Sequence, residues 1–260
     1  MRIVVNADDF GASAETVAAT IRCLEDGTVT SATIMPTMRA AGEALAYARE
    51  RSDRSFGVHL TFVGDGEERS AAAPADIRAL VDEEGRFLAA TPVRLRALAR
   101  RLPVDQLERE IAAQLTLVRD AGVAISHVDS HRHLHKLAPF RRALENVLPR
   151  FGIERVRGVQ DVYLTRPLVG ATYWVGSLWR RPLRRAFRTT DHFYMPASTG
   201  DLAWADELLG RIDSLSGSTM EVGVHPGPDD WRADERRSAA RLASAAPELG
   251  HELVSWRAIG

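Results

Sequence analysis

Short apolar runs rich in Val and Ile alternate along this chain with longer segments whose apolar positions recur every three or four residues. The first kind suits strands buried on both faces and the second suits helices that cover them. The alternation therefore predicts repeated βα units around a parallel sheet. Strands are predicted over 2–7, 29–35, 56–62, 124–129, 154–158 and 220–225, with a last short one over 251–255. Helices are predicted over 14–26, 39–51, 104–121 and 139–151, within 167–188 and 201–215, and over 233–246. Pro139 stands where a first helical turn tolerates proline. The stretch GDGEERSAAAPAD, residues 64–76, is too polar and too broken by Gly and Pro for a core element, and predicts a mobile loop. No internal repeat or linker interrupts the pattern, so one domain over 1–260 is expected, an α/β fold of the irregular TIM-like (β/α) barrel type.

Composition narrows the partners more than the fold. With 34 basic and 35 acidic residues the formal charge is -1, which gives no general pull toward nucleic acid, so no nucleic-acid partner is expected. The single cysteine, Cys23, leaves no internal disulfide and suits a buried helical position. The N-terminal residues MRIVVNADDF do not read as a secretory signal, and no apolar run approaches the ~18 residues of a membrane span. A cytoplasmic protein is the expectation.

Chemistry enters at the predicted strand ends, where parallel α/β sheets gather functional side chains. Asp8 and Asp9 follow the first strand, His59 lies in GVHLTF, and His225 lies in EVGVHPG. The segment HVDSHRHLH, 127–135, holds four of the eight histidines and places Asp129 and His131 on one face if a strand ends there. A lone strand histidine is ordinarily a satisfied core residue, and adjacent acids before Phe-Gly can simply cap the helix starting near Ser13. Recurrence at several strand ends shifts the balance. Asp9, His59 and His131 offer one carboxylate and two imidazoles, a common set for a divalent cation with open coordination positions. Neighbouring residues on a regular strand face opposite ways, but Gly11 lets the chain turn so that both acids reach one pocket.

The motifs NADDFG at 6–11, TSAT at 30–33, GVHLTF at 57–62, LVDEEGRF at 80–87, HVDSHRHLH at 127–135 and EVGVHPG at 221–227 run in order over most of the chain. Together they resemble the YdjC-like carbohydrate deacetylase family, best known for deacetylating chitooligosaccharides. The resemblance implies one divalent metal ion, magnesium or zinc, held at His59 and His131 with the acidic pair. By likeness to polysaccharide deacetylases it makes Asp8 the base and Asp9 the ligand, with His225 the acid that protonates the departing amine. An N-acetylated sugar or glycoconjugate is the implied substrate. The chain departs from the family at Arg132, where three consecutive histidines are common; Arg132 should point away from the ligands and could favour an anionic substrate.

Two readings stay open beside this one: a metal-dependent phosphoesterase or other amidohydrolase, and a sugar-binding module without catalysis. Barrel amidohydrolases usually open with His-x-His on the first strand, where this chain has Asp8 and Asp9. Finally, 166–188 is rich in Arg and Trp and lacks acids. It suits a membrane interface, a lipid-linked sugar, or a face packed on the barrel or on a second subunit in a homo-oligomer.

Overall fold

The computed structural model describes residues 1–64, 68–164, 169–196 and 204–260, with the side chains of 169–175 left aside. Its central sheet is built from β1 (Arg2–Phe10), β2 (Ser31–Ile34), β3 (Ser55–Leu60), β4 (Ile125–Ser130), β5 (His192–Tyr194) and β6 (Thr219–Val224) in the order β4-β3-β2-β1-β6-β5. A short β7 (Glu252–Leu253) pairs with Arg2 and Ile3 of β1. Every pairing is parallel. Around the sheet lie α1 (Ala14–Glu25), α2 (Ala41–Glu50), α3 (Ala90–Leu98), α4 (Val104–Asp120), α5 (Ala138–Val147), α6 (Val169–Ala186), α7 (Trp204–Ile212) and α8 (Asp230–Glu248). The result is a single α/β domain whose sheet curls into a half-barrel, as the βα alternation predicts.

Several expected elements change on folding. The predicted strand over 154–158 contracts to two single parallel bridges, Val128 to Val156 and Arg155 to Arg188, which link the β4 edge toward the β5 side. The predicted helix over 139–151 ends at Val147 and tightens into a 3-10 turn over Leu148–Phe151. α3 and β5 carried no expectation. The predicted helix within 201–215 is α7, and that within 167–188 is α6, although 165–168 and 201–203 lie outside the described residues.

The loop expected over 64–76 is not free. Of it, 64 and 68–76 are described, and the Glu110 carboxylate on α4 accepts the backbone N–H of Ala71 and Ala72, each at 2.9 Å. Gln114, one turn on, donates to both Glu110 and the Thr61 carbonyl and accepts from the Thr61 N–H at 3.0 Å. Further along, Ile77, Leu80 and Phe87 bury their side chains. Polar composition concealed a segment tied down by a neighbouring helix.

The end of β1 is irregular in a way that matters. Ala7 faces Ala32 and Phe10 faces Ile34, so three residue steps on β1 match two on β2: a bulge at Asp8 and Asp9. Asp9 takes φ 60°, a left-handed conformation that Asp accepts more readily than most residues. Gly11 follows at φ 106°, where an added Cβ would also crowd the Ala41 Cα at 3.2 Å. The capping role is filled instead by Ser13, whose hydroxyl accepts from the Thr16 N–H at 3.2 Å.

Candidate metal centre and its flanking acid and base

The bulge breaks the strand's alternation, and both acids reach the same end of the sheet. Asp9 Oδ1 lies 3.5 Å from His59 Nε2 and 3.6 Å from His131 Nδ1. One donor atom from each of these three residues lies within 4.8 Å of the others. Asp9 Oδ1 is buried and has no hydrogen-bond partner, a costly state for a carboxylate oxygen. Its other oxygen, Oδ2, takes Arg232 Nη2 at 3.1 Å. The outer nitrogen of His59 is committed: Nδ1 sits 2.7 Å from Asp129 Oδ1, which leaves Nε2 facing Asp9. A carboxylate that orients an imidazole from behind is the usual support of a metal-binding histidine. Thr33 steadies that carboxylate in turn, donating to Asp129 Oδ2 at 3.2 Å.

Charge favours a cation here. Burial pulls the His59 imidazole down, yet Asp129, Asp8 and Asp9 together push it up to about 9. Burial would raise the Asp9 carboxyl, but His131, His225 and His59 hold it well below the usual carboxylate range. Surroundings that draw a proton onto His59 will accept a divalent ion in its place. The donor set, the unpartnered oxygen and the supporting Asp129 fit such an ion. A second trio, Asp8, His59 and Asp129, is equally compact. It is already served by Arg157, which lies 2.6 Å from Asp8 and 2.7 Å from Asp129.

Arg157 is the residue that spacing could not reveal. It is fully buried, grips Asp8 with two nitrogens at 2.6 Å each, and reaches Glu221 at 2.8 Å. Against the cost of burial, this guanidinium together with His59 and His225 holds the Asp8 carboxyl far below its ordinary value. Asn6 adds a hydrogen bond to Asp8 Oδ1 at 2.9 Å, and His127, stacked on Trp256 at 4.7 Å, sits 3.2 Å from the Asn6 amide oxygen. His127 is thus a buried support.

On the far flank, His225 Nε2 lies 4.0 Å from Asp8 Oδ2. Its Nδ1 is 3.2 Å from Glu235 of α8, which also accepts the His225 backbone N–H at 2.6 Å. Burial opposes protonation of His225, but Glu235, Asp9 and Asp8 outweigh it and raise the imidazole above its ordinary value. Glu235, like Arg157, had no signal in the sequence: it lies in a run of alternating charges on a surface-patterned helix. The five expected residues Asp8, Asp9, His59, His131 and His225 all converge. β4 stops at Ser130 and His131 opens a 3-10 turn, yet Asp129 and His131 both reach His59, Asp129 at 2.7 Å from its Nδ1 and His131 with its ring centroid 5.7 Å away. Arg132 is exposed and takes φ 57° in the turn that follows β4. The basic 166–188 segment starts outside the described residues; at its centre Trp179 carries Lys136 Nζ 5.4 Å from its ring centroid.

A parallel half-barrel that gathers one carboxylate and two imidazoles at its strand ends, a group able to hold a metal ion, defines the class. The chain belongs to the YdjC-like protein family, whose model matches residues 2–253. It is 32% identical over 227 residues to a carbohydrate deacetylase of Geobacillus stearothermophilus, covering 86% of this chain and 78% of that one. It is 27% identical over 224 residues to a carbohydrate deacetylase of Thermoanaerobacter pseudethanolicus, covering 86% and 80%. Among solved structures, a candidate cellobiose-phosphate cleavage protein from Enterococcus faecalis shares the fold, with a TM-score of 0.78, 21% identity, and coverage of 100% and 98%.

Proposed function

We propose that this protein is a metal-dependent deacetylase that hydrolyses the N-acetyl group of an amino sugar or its conjugate, releasing acetate and a free amine. The reading is carried by Asp9 Oδ1, buried and unpartnered between two imidazoles, with Asp8 and His225 set 4.0 Å apart beside it. Asp9, His59 and His131 are the residues that would hold one divalent ion, magnesium or zinc. Such an ion, when bound, polarises the acyl oxygen and makes attacking water more acidic.

The chain's own residues then manage protons and orientation. Asp8 stays ionised because Arg157 grips it, and its Oδ2 faces His225 as the acceptor for the attacking water's proton. Arg157 also makes Asp8 a weak base, so the water must arrive already acidified. His225, kept protonated by Glu235, gives its proton from Nε2 to the departing nitrogen as the C–N bond breaks. Arg232, beside Asp9, holds that carboxylate's second oxygen in place.

Support for the substrate class comes from the relatives named as carbohydrate deacetylases. The test is a panel of N-acetylated sugars incubated with metal-loaded protein, read by mass spectrometry and acetate release. Loss of one acetyl group, abolished by chelator and restored by magnesium or zinc, is expected. Phosphate release from a sugar ester with no acetate from any amide would overturn the reading in favour of a phosphoesterase. Sugar binding with neither product would leave a lectin-like module.

A further inference from the structure

α3 is patterned the wrong way round for a surface helix. Its inner face is only Val93 and Ala97, buried on the fold, while Leu95 and Leu98 stand 62% and 59% exposed. Pro92, Leu95, Leu98 and Ala99 recur at three- and four-residue spacing, so they form one outward stripe, and all four are exposed. Arg94 and Arg96, one residue to either side of Leu95, stand about 100° around the helix and flank that stripe. Single exposed leucines are ordinary. Two on one short stripe, edged by arginines on both sides, form the pattern of a helix that lies at an apolar–aqueous boundary.

The charges identify what covers the stripe. From Phe87 to Val104 the chain holds Arg94, Arg96, Arg100 and Arg101 and no acid. Among the described residues none of the four pairs with a carboxylate; Arg94 donates to the Arg132 carbonyl at 3.2 Å and Arg96 to the Ala79 carbonyl at 2.9 Å. Their charge is therefore uncancelled locally, although the whole chain sums to -1. A second copy docked about a two-fold axis would set these arginines against their own images, which opposes self-association. Anionic lipid headgroups meet them with opposite charge, and an arginine's apolar stem lets its head reach a phosphate from beside inserted leucines. α6 also exposes a leucine, Leu178, but there Arg180 faces Asp161 at 3.7 Å and Arg188 faces Glu154 at 3.3 Å. α3 is thus the better anchor. Its nine residues, about 14 Å long, lie on a bilayer rather than cross it.

We propose that α3 docks this protein on an anionic lipid bilayer, with Leu95 and Leu98 entering the headgroup region and Arg94, Arg96, Arg100 and Arg101 pairing with lipid phosphates. Because Arg94 is bonded to the turn that carries His131, the docked face adjoins the strand-end site. The proposal stands apart from the deacetylase reading, and its test involves no turnover.

The test is flotation with vesicles of phosphatidylcholine containing about one-third phosphatidylserine, against vesicles of phosphatidylcholine alone. Wild type should bind the anionic vesicles at least tenfold more tightly, and added salt should weaken that binding. Leu95→Ser with Leu98→Ser should lower the partition at least tenfold, since both side chains lose the apolar surface that leaves water on docking. Arg94→Gln with Arg96→Gln keeps a donor for each carbonyl and should lower it about twenty-five-fold, at about fivefold per basic residue. That pair stands in if the serine variant does not melt cooperatively. Absence of wild-type flotation, or flotation that both pairs of substitutions leave unmoved, would overturn the proposal. A concentration-dependent dimer in sedimentation, lost in the serine variant and without vesicle binding, would overturn it in favour of a second copy.

Discussion

Arg157 carries more of the site than any residue the sequence singled out. Three carboxylates, Asp8, Asp129 and Glu221, converge on its guanidinium in full burial, where a planar fork of donors satisfies them and a lysine's point charge cannot. Even so the balance is incomplete: burial, abetted by Asp8 and Asp129, pushes the Glu221 carboxyl up to about 7 against the pull of Arg157. Arg157→Met keeps bulk and removes the charge, so it should cost about 3–5 kcal/mol in urea unfolding, the usual effect of stranding buried partners. A loss under 1 kcal/mol would mean that water reaches these carboxylates. Glu235 acts on one proton instead. Because its hydrogen bond and charge raise the His225 imidazole, Glu235→Gln should shift the His225 NMR titration to lower pH. The alkaline limb of kcat/KM should move the same way, since an acid with a lowered pKa loses its proton sooner as pH rises. An unmoved titration would leave Glu235 a purely structural contact.

At the scale of elements, what could be read in advance follows the physics of periodicity. β1, β3, α1 and α4 bury continuous strands or wide helical faces, so their apolar patterns were plain. α3 buries only Val93 and Ala97 while Leu95 and Leu98 stand 62% and 59% exposed, which erases its periodic signature. β5 has three residues, too few for any pattern, and the 154–158 stretch makes bridges without a ladder. The described part of the excursion after β3 left no periodic signal because its anchor, Glu110, lies in another element and is polar. Burial raises the Glu110 carboxyl, partly offset by the N–H groups of Ala71 and Ala72 and by Gln114. Glu110→Ala strands two part-buried backbone donors and should cost about 2–6 kcal/mol, at roughly 1–3 kcal/mol per unpaired group. Hydrogen exchange at Ala71 and Ala72 should accelerate in the same variant. Unchanged protection there would show that the excursion is held by Ile77, Leu80 and Phe87 alone.

Across the whole molecule, parallel register is what turns scattered motifs into one site. His59 pairs with Asp129 across β3 and β4, and β1 lies between β2 and β6, so residues far apart in sequence meet where strands end. That convergence was legible because Asp8, Asp9 and His225 stand near the ends of apolar runs and His59 interrupts one. The bulge that turns Asp9 toward two imidazoles was not, since backbone irregularity leaves no compositional trace beyond Gly11. The cradle should therefore bind an ion before any substrate arrives, and binding only the folded state must raise stability. At a hundred times Kd the gain is about 2.7 kcal/mol, which for a chain of this size means a melting rise of about 5–10 °C. Asp9→Asn is the sharp control, because Asn tolerates the left-handed backbone at this position while losing the charge. Wild type should melt higher with zinc or magnesium and return on adding chelator, whereas the variant should show no ion-dependent rise. Equal shifts in both proteins would place the ion elsewhere, and a flat response in both would remove the metal centre altogether.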